Sequence, residues 1–201
     1  MSSPLFQTDL LFIQRILSSA GLYHGTLDGK HSSDLDNAET AFNNATLQIA
    51  HDLGTFDPRT ENVISTLVPK AQKAARQFMN LAKSMPFTVK LISGTRTYAE
   101  QDILFAKRPK VTNARGGQSN HNFGIAWDVG IFNGGIYNEG RNNKENQQYI
   151  DLSKLIMPQL GNVLTWGGNW HSIIDMPHYE LTSNKSISQV RSLFEAGRAY
   201  V

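Results

Sequence analysis

Hydrophobic positions in the first fifty residues recur at three- and four-residue intervals, which is the period of an amphipathic helix. One such face comprises Leu10, Ile13, Leu17 and Ala20. A helix stop is expected at Gly21, and a second apolar stripe predicts another helix over residues 36–49. The glycine, proline and aspartates of residues 51–59 then predict a linker. The pattern therefore predicts a small all-α module over residues 1–52 and a larger domain over residues 60–201.

The larger domain begins with a helical stripe from Ile64 to Ala82, in which Pro69 marks a kink or a helix start. Strand-like runs follow at 87–92, 125–132, 164–166 and 178–181. Further helices are predicted at 97–107, 145–157 and 187–199. The polar, glycine-rich residues 133–144 show no clear element. Helices followed by strands and a last helix predict an α+β fold, with a small antiparallel sheet flanked by helices.

The amino-acid composition limits the kinds of function and of metal site that the chain can have. Hydrophobic residues make up 40% of the 201 residues and charged residues 18%, so the chain can bury a core. A net charge of +2, with no Lys/Arg run, does not indicate nucleic-acid binding, although it is compatible with an anionic polymer such as a cell wall. There are no cysteines, so any metal site must use His, Asp and Glu.

The N-terminal residues lack the positive stretch and long apolar core of a secretory signal. The apolar run at 10–13 is too short to span a membrane. If the substrate lies outside the cytoplasm, another agent must deliver the protein there.

A first cluster of chemistry-bearing residues lies at 119–128, where His121 precedes a turn at Gly124 and a strand carries Asp128. Side chains alternate between the two faces of a strand, so Asp128 shares its face with the small residues Ala126 and Gly130. A carboxylate between small residues indicates the floor of a groove. The turn can bring His121 back towards Asp128.

A second cluster lies at 175–180, where His178 begins a strand three residues after Asp175. Catalytic zinc commonly has three protein ligands and a fourth position for water, and His121, Asp128 and His178 meet that need. Zinc lowers the pKa of water to about 7, and Asp175 is placed to take its proton and pass it to the leaving amine. Arg96 follows a predicted strand end and can offset charge on a tetrahedral intermediate.

Four motifs carry a family resemblance. They are Ser93-Gly94-Thr95-Arg96-Thr97 with Glu100-Gln101, the Ser-x-His-x-x-Gly-x-Ala-x-Asp pattern of 119–128, Trp166-Gly167-Gly168-x-Trp170, and Asp175-x-x-His178-Tyr179-Glu180. Over residues 60–201 the chain resembles the D-Ala-D-Ala carboxypeptidase and L-alanyl-D-glutamate peptidase family of zinc enzymes. The tryptophan-glycine-glycine stretch and the Asp before the last His resemble the L-alanyl-D-glutamate endopeptidase branch, where phage endolysins are common.

The resemblance implies one zinc ion held by His121, Asp128 and His178, with Asp175 as general base and acid and Arg96 as the oxyanion stabiliser. Ser119 and Gln101 are expected to contact substrate or orient site residues, although either can be a structural cap. His171 is a rival third ligand without a matching acid before it. Glu180 shares the strand face of His178 and is a candidate to buttress the site.

The N-terminal segment resembles the three-helix peptidoglycan-binding module over about residues 8–50. The motif residues are Ile13-Gln14-x-x-Leu17, Gly21-Leu22-Tyr23-x-Gly25-x-Leu27-Asp28-Gly29, Ala38 and Phe42. The expected aromatic-glycine pair after Gly29 is replaced by Lys30-His31-Ser32. A helical cap that only stabilises the larger domain is the alternative.

The sequence thus predicts a zinc peptidase acting on bacterial peptidoglycan, with the bond between L-alanine and D-glutamate as the expected target. We expect a monomer that is made in the cytoplasm and delivered to the cell wall by another agent, such as a holin or a secretion system. A D,D-carboxypeptidase acting on terminal D-alanine would use the same chemistry. A non-catalytic wall-binding protein is the alternative of a different class, but a structural metal site would need neither Asp175 nor Arg96.

Overall fold

The computed structural model describes residues 4–140, 142–171 and 173–201, and these residues form seven α-helices and five β-strands. The helices are α1 (Pro4–Ser19), α2 (Ser33–Leu53), α3 (Pro58–Ser65), α4 (Pro69–Ala82), α5 (Tyr98–Ala106), α6 (Asn143–Leu160) and α7 (Ile187–Glu195). The strands are β1 (Thr88–Ser93), β2 (Ala126–Asn133), β3 (Ile136–Tyr137), β4 (Leu164–Trp166) and β5 (His178–Leu181). The α+β class predicted from the sequence is confirmed.

Two compact units can be distinguished. The first comprises the chain up to Gln48 together with Arg96–Gly124 and Ser183–Val201, and the second comprises Ile49–Thr95 and Ile125–Thr182. The predicted domains at 1–52 and 60–201 stay predictions. In the part of the chain that the structure describes, no helix has both the length and the apolar character needed to cross a bilayer.

The second unit contains the antiparallel sheet, in the order β1-β2-β5-β4, with β3 paired to β2. The helices α3, α4 and α6 pack against these strands. One face of β2 is fully buried, and its residues are Trp127, Val129 and Ile131. Phe78 of α4 packs edge-on against both Trp127 and Tyr179. Burial of one face leaves the alternate side chains, including Asp128, on the other face.

The segment between α2 and α3, where a linker was predicted, is fixed by a buried arginine. The Arg76 guanidinium, 1% exposed, donates to Gly54 O at 2.7 Å and forms two hydrogen bonds to the Glu61 carboxylate at 2.8 and 2.9 Å. Paired charged hydrogen bonds of this kind fix geometry as well as adding energy. The segment is therefore an integral part of the second unit.

The first unit has a helical core that includes Leu10 and Leu17 of the predicted apolar face. Its buried members are Leu10, Leu17, Tyr23, Leu35 and Ala38. Gln14 is fully buried beside them, where its amide donates to Lys30 O at 2.9 Å and accepts from Gly29 N at 2.9 Å. A buried amide is stable only when hydrogen-bonded, so Gln14 organises the loop that joins α1 to α2.

An aromatic cluster connects distant chain segments in the same unit. Its members are Phe12, Tyr98, Phe123, Phe194 and Tyr200. Tyr200 is buried in this cluster and donates its hydroxyl hydrogen to the carbonyl of Phe123. Helices α1 and α7 and the chain end therefore support the turn that ends at Phe123.

Several element boundaries differ from the predicted ones. The long apolar stripe is two helices, because Pro69 occupies the first turn of α4 and cannot continue α3. Helix α7 ends at Glu195 instead of 199, and Gly197 after it has a φ of 65°. The glycine-rich excursion after β2 contains the short strand β3, which was not predicted.

Candidate metal centre

Two of the predicted ligands are held by strand pairing. Asp128 of β2 lies directly opposite His178 of β5, and it also pairs with Ser93 at the end of β1. Residues paired across a sheet present their side chains on the same face. The hydrogen bond from Val129 N to Pro177 O, at 2.9 Å, fixes this register where β5 begins. Asp128 and His178 are therefore placed side by side by the backbone.

The third predicted ligand, His121, lies on a single turn of 3-10 helix, Asn120–Phe123. Gly124 ends this turn with a φ of 67°, a conformation that favours glycine. Asn122 is fully buried beside the histidine, where it accepts from Gly117 N at 2.9 Å and donates to Arg96 O at 3.0 Å. Asn122 was not among the residues predicted from the sequence, where its only signal is its position next to His121.

The structure brings the three predicted ligands together. His121, Asp128 and His178 each offer one ligand atom, and these atoms lie within 4.8 Å of one another. His178 Nδ1 is 3.3 Å from Asp128 Oδ1. Two ligand atoms about 2.0–2.1 Å from a tetrahedral zinc ion lie roughly 3.3 Å apart, so this pair already has the required spacing. The donor set of two imidazoles and one carboxylate fits a metal ion.

Glu180 determines which nitrogen of His178 faces the metal position. His178 Nε2 lies 2.9 Å from Glu180 Oε2, and the two side chains are only 6% and 16% exposed. An Nε2–H that donates to this carboxylate leaves Nδ1 as the nitrogen that faces Asp128 and the metal position. Burial lowers the pKa of His178, but the hydrogen bonds with Asp128 and Glu180 outweigh burial and raise it to about 9. The Trp170 ring packs against the His178 imidazole, with the two ring centres 4.8 Å apart.

The Trp-Gly-Gly motif holds the loop that carries Asp175. Asp175 N donates to Gly167 O at 3.1 Å, and His178 N donates to Asp175 O at 3.2 Å. A Cβ at Gly167 would lie 2.6 Å from Asp175 O and 3.0 Å from the His178 Cβ, so only glycine permits this approach. The Trp166 indole donates to Met176 O at 2.8 Å. The motif therefore fixes half-buried Asp175 relative to His178.

Arg96 is joined to the His121 turn through its backbone. Its N–H donates to His121 O at 3.0 Å, and its own carbonyl accepts from Asn122. Thr97, the next residue, caps α5 together with Glu100 in a capping box, as the sequence predicted. The cap and the Asn122 bridge fix the backbone on which the Arg96 guanidinium is carried.

The remaining predicted residues differ in their surroundings. Gln101 is buried, and its amide donates to Ala114 O at 2.9 Å, which ties down the loop before the His121 turn. Ser119 is the extended residue that precedes this turn. His171 is exposed and is outside the three-residue cluster. The substrate roles of Ser119 and Gln101 stay predictions.

Comparison with known proteins agrees with this site. The model of the D-alanyl-D-alanine carboxypeptidase family matches residues 112–181, the segment that contains all three predicted ligands and Asp175. The peptidoglycan L-alanyl-D-glutamate endopeptidase CwlK of Bacillus subtilis (strain 168) is 33% identical over 135 residues, which are 61% of this chain and 77% of the relative. The crystal structure of Serratia marcescens L-Ala D-Glu endopeptidase ChiX matches with a TM-score of 0.49 and 22% identity, over 63% of this chain and 89% of that one. The resemblance seen in the sequence motifs is confirmed, and the chain belongs to the D-alanyl-D-alanine carboxypeptidase family of metallopeptidases.

Proposed function

We propose that the protein is a zinc-dependent peptidoglycan hydrolase that cuts the stem peptide between L-alanine and D-glutamate. The observation that carries the proposal is the group of His121, Asp128 and His178 in a chain that is 33% identical to an enzyme of that activity. These three residues would hold the zinc ion. When bound, zinc supplies Lewis acidity that polarises the reacting groups.

The other predicted residues supply proton transfer and charge stabilisation. Asp175 takes a proton from the attacking water and delivers it to the leaving amine of D-glutamate. The backbone hydrogen bond from His178 N to Asp175 O supports this role, because it ties the loop that carries Asp175 to a predicted ligand. Arg96 stabilises the negative charge that develops on the carbonyl oxygen of L-alanine.

The bond that is cut can be identified by digesting purified peptidoglycan with and without a chelator and analysing the products by mass. We expect fragments with a new N-terminal D-glutamate, which disappear on chelation and return when zinc is added. Release of free D-alanine would instead support a carboxypeptidase, the activity after which the family is named. Wall binding without any product would support a non-catalytic protein.

The proposed role of Asp175 has its own test. Replacement by Ala removes the proton acceptor, and we expect the cleavage rate to fall by about 10²–10⁴-fold. Bound zinc, measured by elemental analysis, should stay at one ion per chain. Asp175→Asn is the matched variant, because it keeps the shape of the side chain but not its basicity. Full activity in either variant would remove Asp175 from the mechanism.

A further inference from the structure

The open face of the sheet continues past the metal ligand Asp128 and leads to two aromatic rings. Along β2 the residues on this face are Asp128, Gly130 and Phe132, and Tyr137 of β3 pairs with Phe132. The two rings lie 5.4 Å apart, and the Tyr137 residue is 41% exposed. A partly exposed aromatic pair on the face that carries a metal ligand is a candidate substrate contact.

Gly130 determines how near these rings come to the metal ligand. A Cβ at this position would lie 3.0 Å from the Phe132 ring, 3.1 Å from the Tyr137 ring and 2.8 Å from Ile92. The rings therefore lean over Gly130 towards Asp128. Two residues along a strand span about 6.8 Å, so the aromatic edge lies roughly that far from the ligand position.

The Tyr137 ring is held in place from two directions. Phe132 packs on it, and Phe132 is itself contacted by the Lys90 ammonium, 5.8 Å from the ring centre. Burial raises the pKa of the Tyr149 hydroxyl, and a side-chain hydrogen bond with Tyr137 raises it further. An aromatic ring fixed before substrate arrives loses little conformational entropy on binding.

We propose that Tyr137, supported by Phe132, forms a subsite for the amino sugar of the glycan strand to which the stem peptide is attached. This inference rests on the proposed function. In peptidoglycan only L-alanine and a lactyl group separate the scissile carbonyl from the sugar. Two residue lengths of about 3.5 Å each place the sugar roughly 7 Å from that carbonyl. This distance matches the length of about 6.8 Å along β2 from Asp128 to Gly130, over which the aromatic rings lie. The apolar face of a sugar ring is suited to packing on an aromatic ring.

The experiment compares two substrates with the same stem peptide. One is a disaccharide-linked muropeptide, and the other is the peptide with an acetylated L-alanine in place of the sugar. We expect the wild-type zinc enzyme to prefer the muropeptide in kcat/KM. Tyr137→Ala should reduce the ratio of the two kcat/KM values about tenfold, and Tyr137→Phe should preserve it because the ring remains. Ile136→Ala, on the same hairpin and with Ile136 76% exposed, is the matched control and should leave the ratio unchanged.

A second measurement separates the subsite from the cleavage reaction. Binding of N-acetylmuramyl-L-alanine to the zinc-loaded protein, followed by calorimetry, should weaken about tenfold in Tyr137→Ala. If neither substrate is cut but this binding still depends on Tyr137, the subsite stands and the proposed function fails. If Tyr137→Ala lowers kcat/KM equally for both substrates, or leaves the binding unchanged, the sugar subsite is wrong.

Discussion

The predicted metal ligands are held in two different ways. Asp128 and His178 lie opposite each other on paired strands, where backbone hydrogen bonds fix them. His121 lies on one turn of 3-10 helix, which is held by Asn122 and by an aromatic cluster from distant parts of the chain. The sheet provides a rigid pair of ligands, whereas the position of the turn depends on packing that any of several segments can disturb.

The largest expected effect comes from removing His178. His178→Ala should abolish metal binding and also destabilise the metal-free protein by about 3 kcal/mol at neutral pH, because the partly buried Asp128 and Glu180 carboxylates lose the imidazolium between them. Elemental analysis and chemical denaturation measure the two effects. His121→Ala, compared in parallel, separates loss of a ligand from loss of these ion pairs. An unchanged unfolding midpoint in metal-free His178→Ala would show that the ion pairs of His178 do not stabilise the metal-free fold.

The next largest effect is expected from removing Glu180, the side chain that orients the His178 imidazole. Glu180→Ala removes the acceptor for Nε2–H, and we expect zinc affinity to fall about 10–100-fold. Glu180→Gln retains an acceptor oxygen and should lose less. Competition with a chromophoric chelator gives both affinities. Equal affinities for the wild type and Glu180→Ala would show that the strands alone orient the imidazole.

The pH dependence follows from the raised His178 pKa of about 9. A metal ion must displace the Nδ1 proton, so apparent zinc affinity should rise about tenfold per pH unit between pH 7 and 9 and then level off. In the metal-free protein the ion pairs stabilise the fold fully below the ordinary histidine pKa of 6.5, and this stabilisation is lost as the pH rises through 9. Titrations of zinc binding and of the unfolding midpoint test the two statements. A flat affinity profile would mean that His178 is already neutral at pH 7.

The smallest expected effect comes from a variant that weakens the support of the His121 turn. Tyr200→Phe removes only the hydroxyl that donates to Phe123 O, so we expect a loss of about 1 kcal/mol in unfolding free energy and less than about a fivefold loss of zinc affinity. Tyr98→Phe is the control, because its hydroxyl contacts Glu195 at 3.3 Å and not the turn. Loss of stability with wild-type zinc affinity would show that Tyr200 supports the fold without positioning His121.

The difference between the two strand ligands and the His121 turn also explains which parts of the site could be predicted from the sequence. Alternation along 125–131 placed Asp128 on the open face, and the burial of Trp127 and Val129 on the opposite face agrees with it. Local patterns were sufficient there because the two-residue period of a strand is visible in consecutive residues. The contact from Tyr200 to Phe123 joins residues 77 positions apart, and no local pattern signals such a pair. Strand β3 was missed because two residues in a glycine-rich excursion are too few to show a period.

The aromatic cluster beneath the His121 turn also constrains when the protein can mature. Phe194 and Tyr200 are synthesised more than seventy residues after His121, whereas the paired strands that carry Asp128 and His178 are complete by residue 181. During synthesis the sheet ligands can therefore assemble while the histidine turn still lacks its support. Since a chain is made at about 5–20 residues per second, this interval lasts about a second or more after the last strand emerges. The group of His121, Asp128 and His178 is therefore complete only after α7 and Tyr200 have been made and have packed around the turn.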